Sequence, residues 1–323
     1  MKHPIRVGVV GVGYVGSLHA QVYATLPGAR LVAVCDLDRT RARAVARRLR
    51  CQAVSDVRDL IGLVDAASVS VPTNLHHAVG KSLLKAGIHV LIEKPLATTL
   101  ADADELLAIA TRTGAIVQVG HIERFNAAIQ AAQAYLTHPR FIEAHRLSPY
   151  PFRGTDVSVV LDVMIHDLDL VLALVRAQPI QIDALGVPVL SRSEDIANAR
   201  LVFASGCVAN LTASRVSDER IRRIRLFQED GYLSIDYQHQ SVELARKIRG
   251  TIRRRVLAVK RRPPLEEELT AFLRAVRTNR RPLVSGEEAR EALALALKIE
   301  RAMRNSAFGI RHSTPHPALR TPH

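Results

Sequence analysis

An α/β chain in two parts is predicted: a doubly wound parallel sheet, then an α+β domain with a largely antiparallel open sheet. Three observations predict it. The apolar run Ile5–Val10 ends in a glycine-rich turn and is followed by helical spacing and a second apolar run. Strand-like and helix-like patterns then alternate to about residue 120, which gives parallel strands with helices on both faces. Beyond that point strand-like runs follow one another across hairpin turns, as in an antiparallel sheet. The length of 323 residues suits two domains. The expected division is 1–120, 121–308 and a flexible tail 309–323, where three prolines crowd together.

The elements justify this in order. Tyr14–Leu26 has helical spacing and Pro27-Gly28 stops it. Leu31–Cys35 is a β-branched run closed by Asp36, so strand, turn, helix and strand form one βαβ unit. Arg39–Arg50 reads as an amphipathic helix. Ala66–Val71, His89–Ile92 and Ala115–Val119 read as buried strands, with His76–Ala86 and Leu100–Thr111 as helices between them. Asp162–Val175 is expected to be one long helix. Gln181–Val189, Ile196–Phe203, Val208–Ser214, Arg222–Gln228 and Tyr232–Tyr237 are expected strands, with turns at Ser205-Gly206 and Glu229-Asp230-Gly231. Leu265–Arg277 and Glu287–Arg304 close the chain as helices.

Composition narrows the function classes. Apolar residues make up 48%, which excludes a disordered chain. No run of about 20 uncharged apolar residues exists, which excludes a membrane-spanning helix. The first strand begins too early for a signal peptide. Three scattered cysteines exclude a disulfide framework and a cysteine-based zinc site, and fit a cytoplasmic setting. The net charge is +14. Nine basic residues and no acid fall within Arg246–Arg262, so the excess is largely local. That segment is expected to be a solvated loop or helix, with an acidic membrane surface as the rival reading. Nucleic acid is disfavoured because no aromatic residue interleaves with the charges.

Three sets of residues carry chemistry. Gly11-Val12-Gly13-Tyr14-Val15-Gly16 is a complete GxGxxG between strand and helix. Its glycines permit a tight turn, close approach of a pyrophosphate and close packing of helix on strand. The helix N-terminus offers free N–H groups to the phosphates. Asp36 follows Gly16 by 20 residues, where a carboxylate accepts hydrogen bonds from an adenine ribose. It would repel a 2′-phosphate, which favours NAD; nearby Arg39 keeps NADP open. Lys94, in Glu93-Lys94-Pro95, stands at the carboxyl end of a strand, where ligands bind in such sheets. An ordinary surface pair before a turn explains the same spacing. Asp162, His166 and Asp169 share one helix face at i, i+4 and i+7. A buried Asp–His pair suits proton transfer; a structural hydrogen bond is the plain alternative. One histidine and two carboxylates make too thin a set for a metal, and none is expected.

Taken together, these pieces resemble the Gfo/Idh/MocA oxidoreductases, the glucose–fructose oxidoreductase and inositol dehydrogenase family, from Ile5 to about Arg304. Besides the glycine turn, the resemblance rests on Val71-Pro72-Thr73-Asn74-Leu75-His76, on His89 to Ala97, on Asp162-x-x-x-His166-x-x-Asp169 and on Leu283 to Ala289. It implies that Lys94 is the active-site lysine, that Asp162 and His166 are catalytic with His166 as acid/base, and that Pro72, Asn74, His76 and Glu93 surround the cofactor. It also implies a homodimer or homotetramer. The chain departs from the family in lacking glycine between Asp162 and His166. With Gly120 to Asn126, the segment Val160 to Asp167 is similar to the subgroup that includes UDP-N-acetylglucosamine 3-dehydrogenases. There a 3-hydroxyl becomes a ketone, which a partner aminotransferase converts to the 3-amino sugar of lipid A.

The expected chemistry is therefore hydride transfer, with His166 taking the hydroxyl proton, Lys94 bonding the same oxygen and Asp162 favouring a charged imidazole. A UDP-sugar needs cations for its phosphates; Arg124 and Arg153 are the candidates, beside Asn126. The competing readings are an inositol or free-sugar dehydrogenase, and a dinucleotide-binding regulator or scaffold without catalysis.

Overall fold

The computed structural model describes residues 3–150 and 157–305, so Arg153 and the expected tail lie outside the described residues. The first unit is a six-stranded sheet of β1 (Ile5–Val10), β2 (Ala29–Cys35), β3 (Gln52–Val54), β4 (Ala66–Val69), β5 (His89–Glu93) and β6 (Val117–Gly120). Its order is β3-β2-β1-β4-β5-β6, and every pairing is parallel. The connections run through α1 (Tyr14–Thr25), α2 (Arg39–Leu49), α3 (Thr73–Lys85) and α4 (Leu100–Thr113). Local chemistry sets these helix ends. Asp38 accepts from the Thr40 and Arg41 N–H groups at the start of α2, and Gly114 ends α4 at φ 70°. Strand order reverses direction between β1 and β4, so a crevice opens at their carboxyl ends.

The second unit is an eight-stranded sheet in the order β14-β13-β12-β11-β7-β10-β9-β8. Its strands are β7 (Phe141–Leu147), β8 (Pro179–Val187), β9 (Ile196–Phe203), β10 (Val208–Ser214), β11 (Ile221–Gln228), β12 (Gly231–Asp236), β13 (Ser241–Ile248) and β14 (Thr251–Val256). Only β7 and β10 pair in parallel. The short α5 (Ala127–Gln133), α6 (Ile165–Val175) and α8 (Gly286–Asn305) join this sheet in one apolar core, where Ile129, Leu168, Leu211, Ile224 and Leu295 meet. By contrast α7 (Pro264–Thr278) turns back to the first unit: Leu269, Phe272 and Leu273 pack among Val7, Tyr23 and Leu91. Residues 264–278 thus follow the second sheet in sequence and pack on the first.

Two expectations need correction. The basic segment is neither a solvated loop nor a helix, because most of it forms the end of β13 and the edge strand β14, exposed along its whole length. Several of its cations are engaged: Arg246 with Asp230, Arg262 with Glu267, and Arg255 over the Tyr135 ring at 5.1 Å. Nor does one α-helix run through Asp162–Val175. Val160–Met164 is a π-helical turn, in which the Ile165 N–H bonds back to the Val160 carbonyl, and α6 begins only at Ile165. Such turns recur at functional sites because they re-aim side chains. No helix among the described residues is long and apolar enough to cross a membrane.

Candidate active site

The glycine turn lies at the mouth of the crevice, beneath a cleft of about 640 Å³ lined by Val12, Gly13, Tyr14, Ser17 and Arg41. Each glycine has its own physical reason. Gly11 holds φ +79°, where a Cβ would come within 2.8 Å of the Ser70 carbonyl. A Cβ on Gly16 would lie 1.8 Å from the Gly11 carbonyl oxygen, so helix and turn could not close. On Gly13 a Cβ would meet nothing within 4 Å, so the backbone there faces open space. Gly13 caps α1 with no side-chain hydrogen bond, which leaves the first N–H groups for an anion. Tyr14 and Val15 are exposed over the same turn. These features fit a nicotinamide dinucleotide.

Asp36 ends β2 with a nearly buried carboxylate. Its oxygens accept from the Val12 and Asp38 N–H groups, both at 2.9 Å. The arginine that approaches it is Arg41, at 3.5 Å, rather than the expected Arg39. Asp36→Ala is expected to weaken NAD binding by about 1–3 kcal/mol, the scale of a lost charged hydrogen bond. Dissociation constants for NAD and NADP before and after the change check this; unchanged NAD affinity would remove Asp36 from the cofactor site.

Around the other side of the crevice, α3 presents its N-terminus, with Pro72 at the cap and Asn74 exposed in the first turn. His76 does not face a ligand as expected. It is buried, with Nδ1 2.8 Å from the Pro95 carbonyl and Nε2 2.9 Å from the Val71 carbonyl. It ties the start of α3 to the loop after Lys94. Burial pulls its pKa down against these two carbonyls, which favour the charged form.

Lys94 reaches the second unit. Its ammonium donates to the Asp162 carbonyl at 2.5 Å and to the Asp162 carboxylate at 2.9 Å. The π turn therefore points Asp162 at the lysine, which corrects the expected Asp162–His166 pair. His166 is partly buried, and its Nδ1 has no hydrogen-bond partner. Burial first, then the charges of Lys94 and Arg146 and the neighbouring His121, hold it well below the usual imidazole range. The expectation of a charged imidazole is reversed: burial and the neighbouring charges favour the neutral ring. His121, at the end of β6, meets it edge to face at 6.2 Å and 87°, and burial pushes its own pKa down to about 3. Sequence reasoning quoted His121 only as part of a motif; its position after a strand's carboxyl end was the available signal.

Beneath this pair lies a charge network that the sequence did not disclose. Arg146 on β7 is buried, donating to Asp167 at 2.9 and 3.0 Å and to Glu123 at 2.9 Å, with its guanidinium 5.3 Å from the Tyr237 ring centroid. Two further candidates change role. Arg124 pairs with Asp169 at 3.4 Å and with Glu288 at 3.5 Å, and donates to the Leu283 carbonyl, so its guanidinium is already occupied. Asn126 is buried; it caps α5 through the Ala128 N–H and donates to Glu123 and the Tyr237 carbonyl. Both are structural in this geometry rather than open to substrate.

Comparison with known proteins agrees with this architecture. Residues 5–121 match the oxidoreductase family with an NAD-binding Rossmann fold, and residues 128–234 match the GFO/IDH/MocA C-terminal domain. The chain is 39% identical to a UDP-N-acetylglucosamine 3-dehydrogenase of Acidithiobacillus ferrooxidans, over 93% of this chain and 97% of that one. A solved structure of that enzyme superposes with a TM-score of 0.89, covering 94% of this chain and 99% of the other. A myo-inositol 2-dehydrogenase of Thermotoga maritima is 27% identical over 93% of this chain and 96% of its own. A levoglucosan dehydrogenase, at 16% identity and a TM-score of 0.87, shares the fold. A phosphate-ready glycine turn, a lysine locked at a strand's carboxyl end and a neutral histidine beside it thus sit in a scaffold matched along nearly its whole length, and the chain belongs to the Gfo/Idh/MocA family of oxidoreductases.

Proposed function

We propose that this enzyme oxidises the 3-hydroxyl of UDP-N-acetylglucosamine to the ketone, with NAD as oxidant. The observation that carries the reading is the 39% identity to a UDP-N-acetylglucosamine 3-dehydrogenase over nearly the full length of both chains. In this reading neutral His166 takes the hydroxyl proton while Lys94, held by Asp162, donates a hydrogen bond to the same oxygen. The dinucleotide, when bound, supplies the acceptor for the hydride leaving the carbinol carbon. Asp36 against the adenine ribose favours NAD over NADP. The ketone suits a partner aminotransferase that makes a 3-amino sugar for lipid A, in the cytoplasm. A homodimer or homotetramer completes the reading.

The diphosphate needs a cation, and Arg124 does not supply it. Arg222 does. It stands opposite Arg146 across the antiparallel β11–β7 pair, so it shares the sheet face that carries the site. It forms no side-chain ion pair among the described residues, and its charge is one of those that depress His166. UDP-N-acetylglucosamine is therefore expected to be oxidised far better than free N-acetylglucosamine, because remote phosphate binding holds the sugar for reaction. Arg222→Gln should raise KM for the nucleotide sugar. One comparison of kcat/KM for the nucleotide sugar, the free sugar and myo-inositol decides it. Equal values for either uncharged compound would sink the UDP-sugar reading.

A further inference from the structure

At the strand end next to Lys94, three ionisable side chains come together. His19 on α1, Glu93 at the end of β5 and Glu268 on α7 each bring a donor atom within 4.8 Å of the others. His19 and Glu268 are fully buried. His19 Nε2 lies 3.1 Å from Glu93 Oε1. Neither oxygen of Glu268 has a hydrogen-bond partner, and the Gln118 Oε1 is also unpartnered. The Gln118 amide instead donates to the Glu268 backbone carbonyl at 3.2 Å. The Glu93 carboxylate itself is confined, since a Cβ on Gly120 would lie 2.8 Å from its Oε2. Only glycine at 120 leaves that carboxylate its place.

Two carboxylates this close, one fully buried and the other largely so, resist ionising together. One of them must carry a proton, or a cation must lie between them. The neighbours decide which carboxylate stays charged. Glu93 is faced by His19, Lys94 and His76, and their charges hold its pKa below the ordinary value despite burial. Glu268 is faced by Glu93 from β5 and, from α1, by His19 and by Tyr23, whose hydroxyl is 3.0 Å from Ser68 on β4. No lysine or arginine is aimed at Glu268 among the described residues, since the Lys94 ammonium points to Asp162, and His19 sits closer to Glu93, at 3.1 Å. Burial and the adjacent Glu93 charge hold Glu268 well above the usual carboxylate range.

We propose that Glu268 retains a proton at neutral pH and, as a neutral acid, is a positioning residue that lets Glu93 stay ionised and in place beside Lys94. A second negative charge there would drive Glu93 from His19 or make it take up the proton, and either change disturbs the strand end that carries the catalytic lysine. Because α7 brings Glu268 from the far end of the chain, the same proton also governs how α7 sits on the first sheet. The sign follows from linkage. A carboxyl whose pKa is raised on folding contributes stability below its unfolded pKa, and this is lost as pH rises through the folded value. Alkaline pH therefore loosens the α7 contact and lowers turnover together.

The test uses the full-length protein and three measurements. Glu268→Gln imitates the neutral acid in shape and should keep kcat at neutral pH. It should remove the part of the alkaline fall in unfolding midpoint that wild type shows, and extend the alkaline limb of kcat. Infrared difference spectra between wild type and Glu268→Gln should show the carbonyl stretch of a protonated carboxylic acid lost from the variant. Stability and infrared readouts need no substrate, so they stand even if the UDP-sugar reading fails; turnover is measured with whichever alcohol the enzyme oxidises. Identical alkaline stability profiles with no lost acid band would overturn the proposal. So would a stoichiometric metal found by elemental analysis in purified wild type and absent from Glu268→Gln, which would make the cluster a metal site.

Discussion

Replacing His166 by alanine is expected to lower kcat by about 10²-fold or more, the scale of a lost general acid or base. The dissociation constant for NAD should not move, because the proposed role of His166 is toward the substrate hydroxyl. Lys94→Ala should fall by a similar factor, since it removes the ammonium that the proposed mechanism sets on the reacting oxygen and releases Asp162. The pH profile separates a catalytic from a structural histidine. Burial and nearby positive charge keep His166 neutral well below the usual imidazole range. The acid limb of kcat/KM for oxidation should thus lie below that of an ordinary histidine. Near-normal turnover by His166→Ala would return the residue to a packing role, and an acid limb near the ordinary histidine value would show that its environment is not the one described.

Arg146→Met should cost about 3–5 kcal/mol of stability, the range for breaking a buried ion pair on one side. The guanidinium is the shared partner of Asp167 and Glu123, both buried, and methionine leaves Asp167 with neither charge nor donor and Glu123 with only the Asn126 amide among the described residues. Burial already pushes Asp167 above the usual carboxylate range against the pull of Arg146, so without the arginine it should take up a proton. A second effect reaches the active site. Arg146 is one of the charges that depress His166, so its loss should move the acid limb of kcat/KM upward in pH. Chemical denaturation and a pH profile of the same variant check both. A stable Arg146→Met protein with an unshifted profile would mean that the network neither holds the sheet to α6 nor tunes the histidine.

Legibility followed the range of the interactions. Ile196–Phe203 and Val208–Ser214 occur as expected, because a half-buried antiparallel strand alternates with period two. β7 was missed for the reason that makes it useful: its buried face reads Ile142, Ala144, Arg146, and an arginine in that row hides the alternation. β14 was missed because an exposed edge strand needs no apolar face. The glycine turn was legible because its pattern and its place between strand and helix are local, although Gly11 also leaves room for the distant Ser70 carbonyl, and Asp36 because one βαβ unit fixes its distance from that turn.

The contacts around Lys94 and His166 were not local. Asp162 and His166 are four residues apart, yet Asp162 is held by Lys94, which is 68 residues away in sequence. Arg124 looked free until α6 and α8 brought Asp169 and Glu288 to it. By itself the sequence determined five of the six strands of the first sheet and the glycine turn, since backbone geometry and hydrophobic period act over a few residues. The charge state of His166, the partner of each carboxylate and the buried His19–Glu93–Glu268 cluster were decided only by tertiary structure, because burial and Coulomb interaction depend on which distant segments share a low-dielectric space.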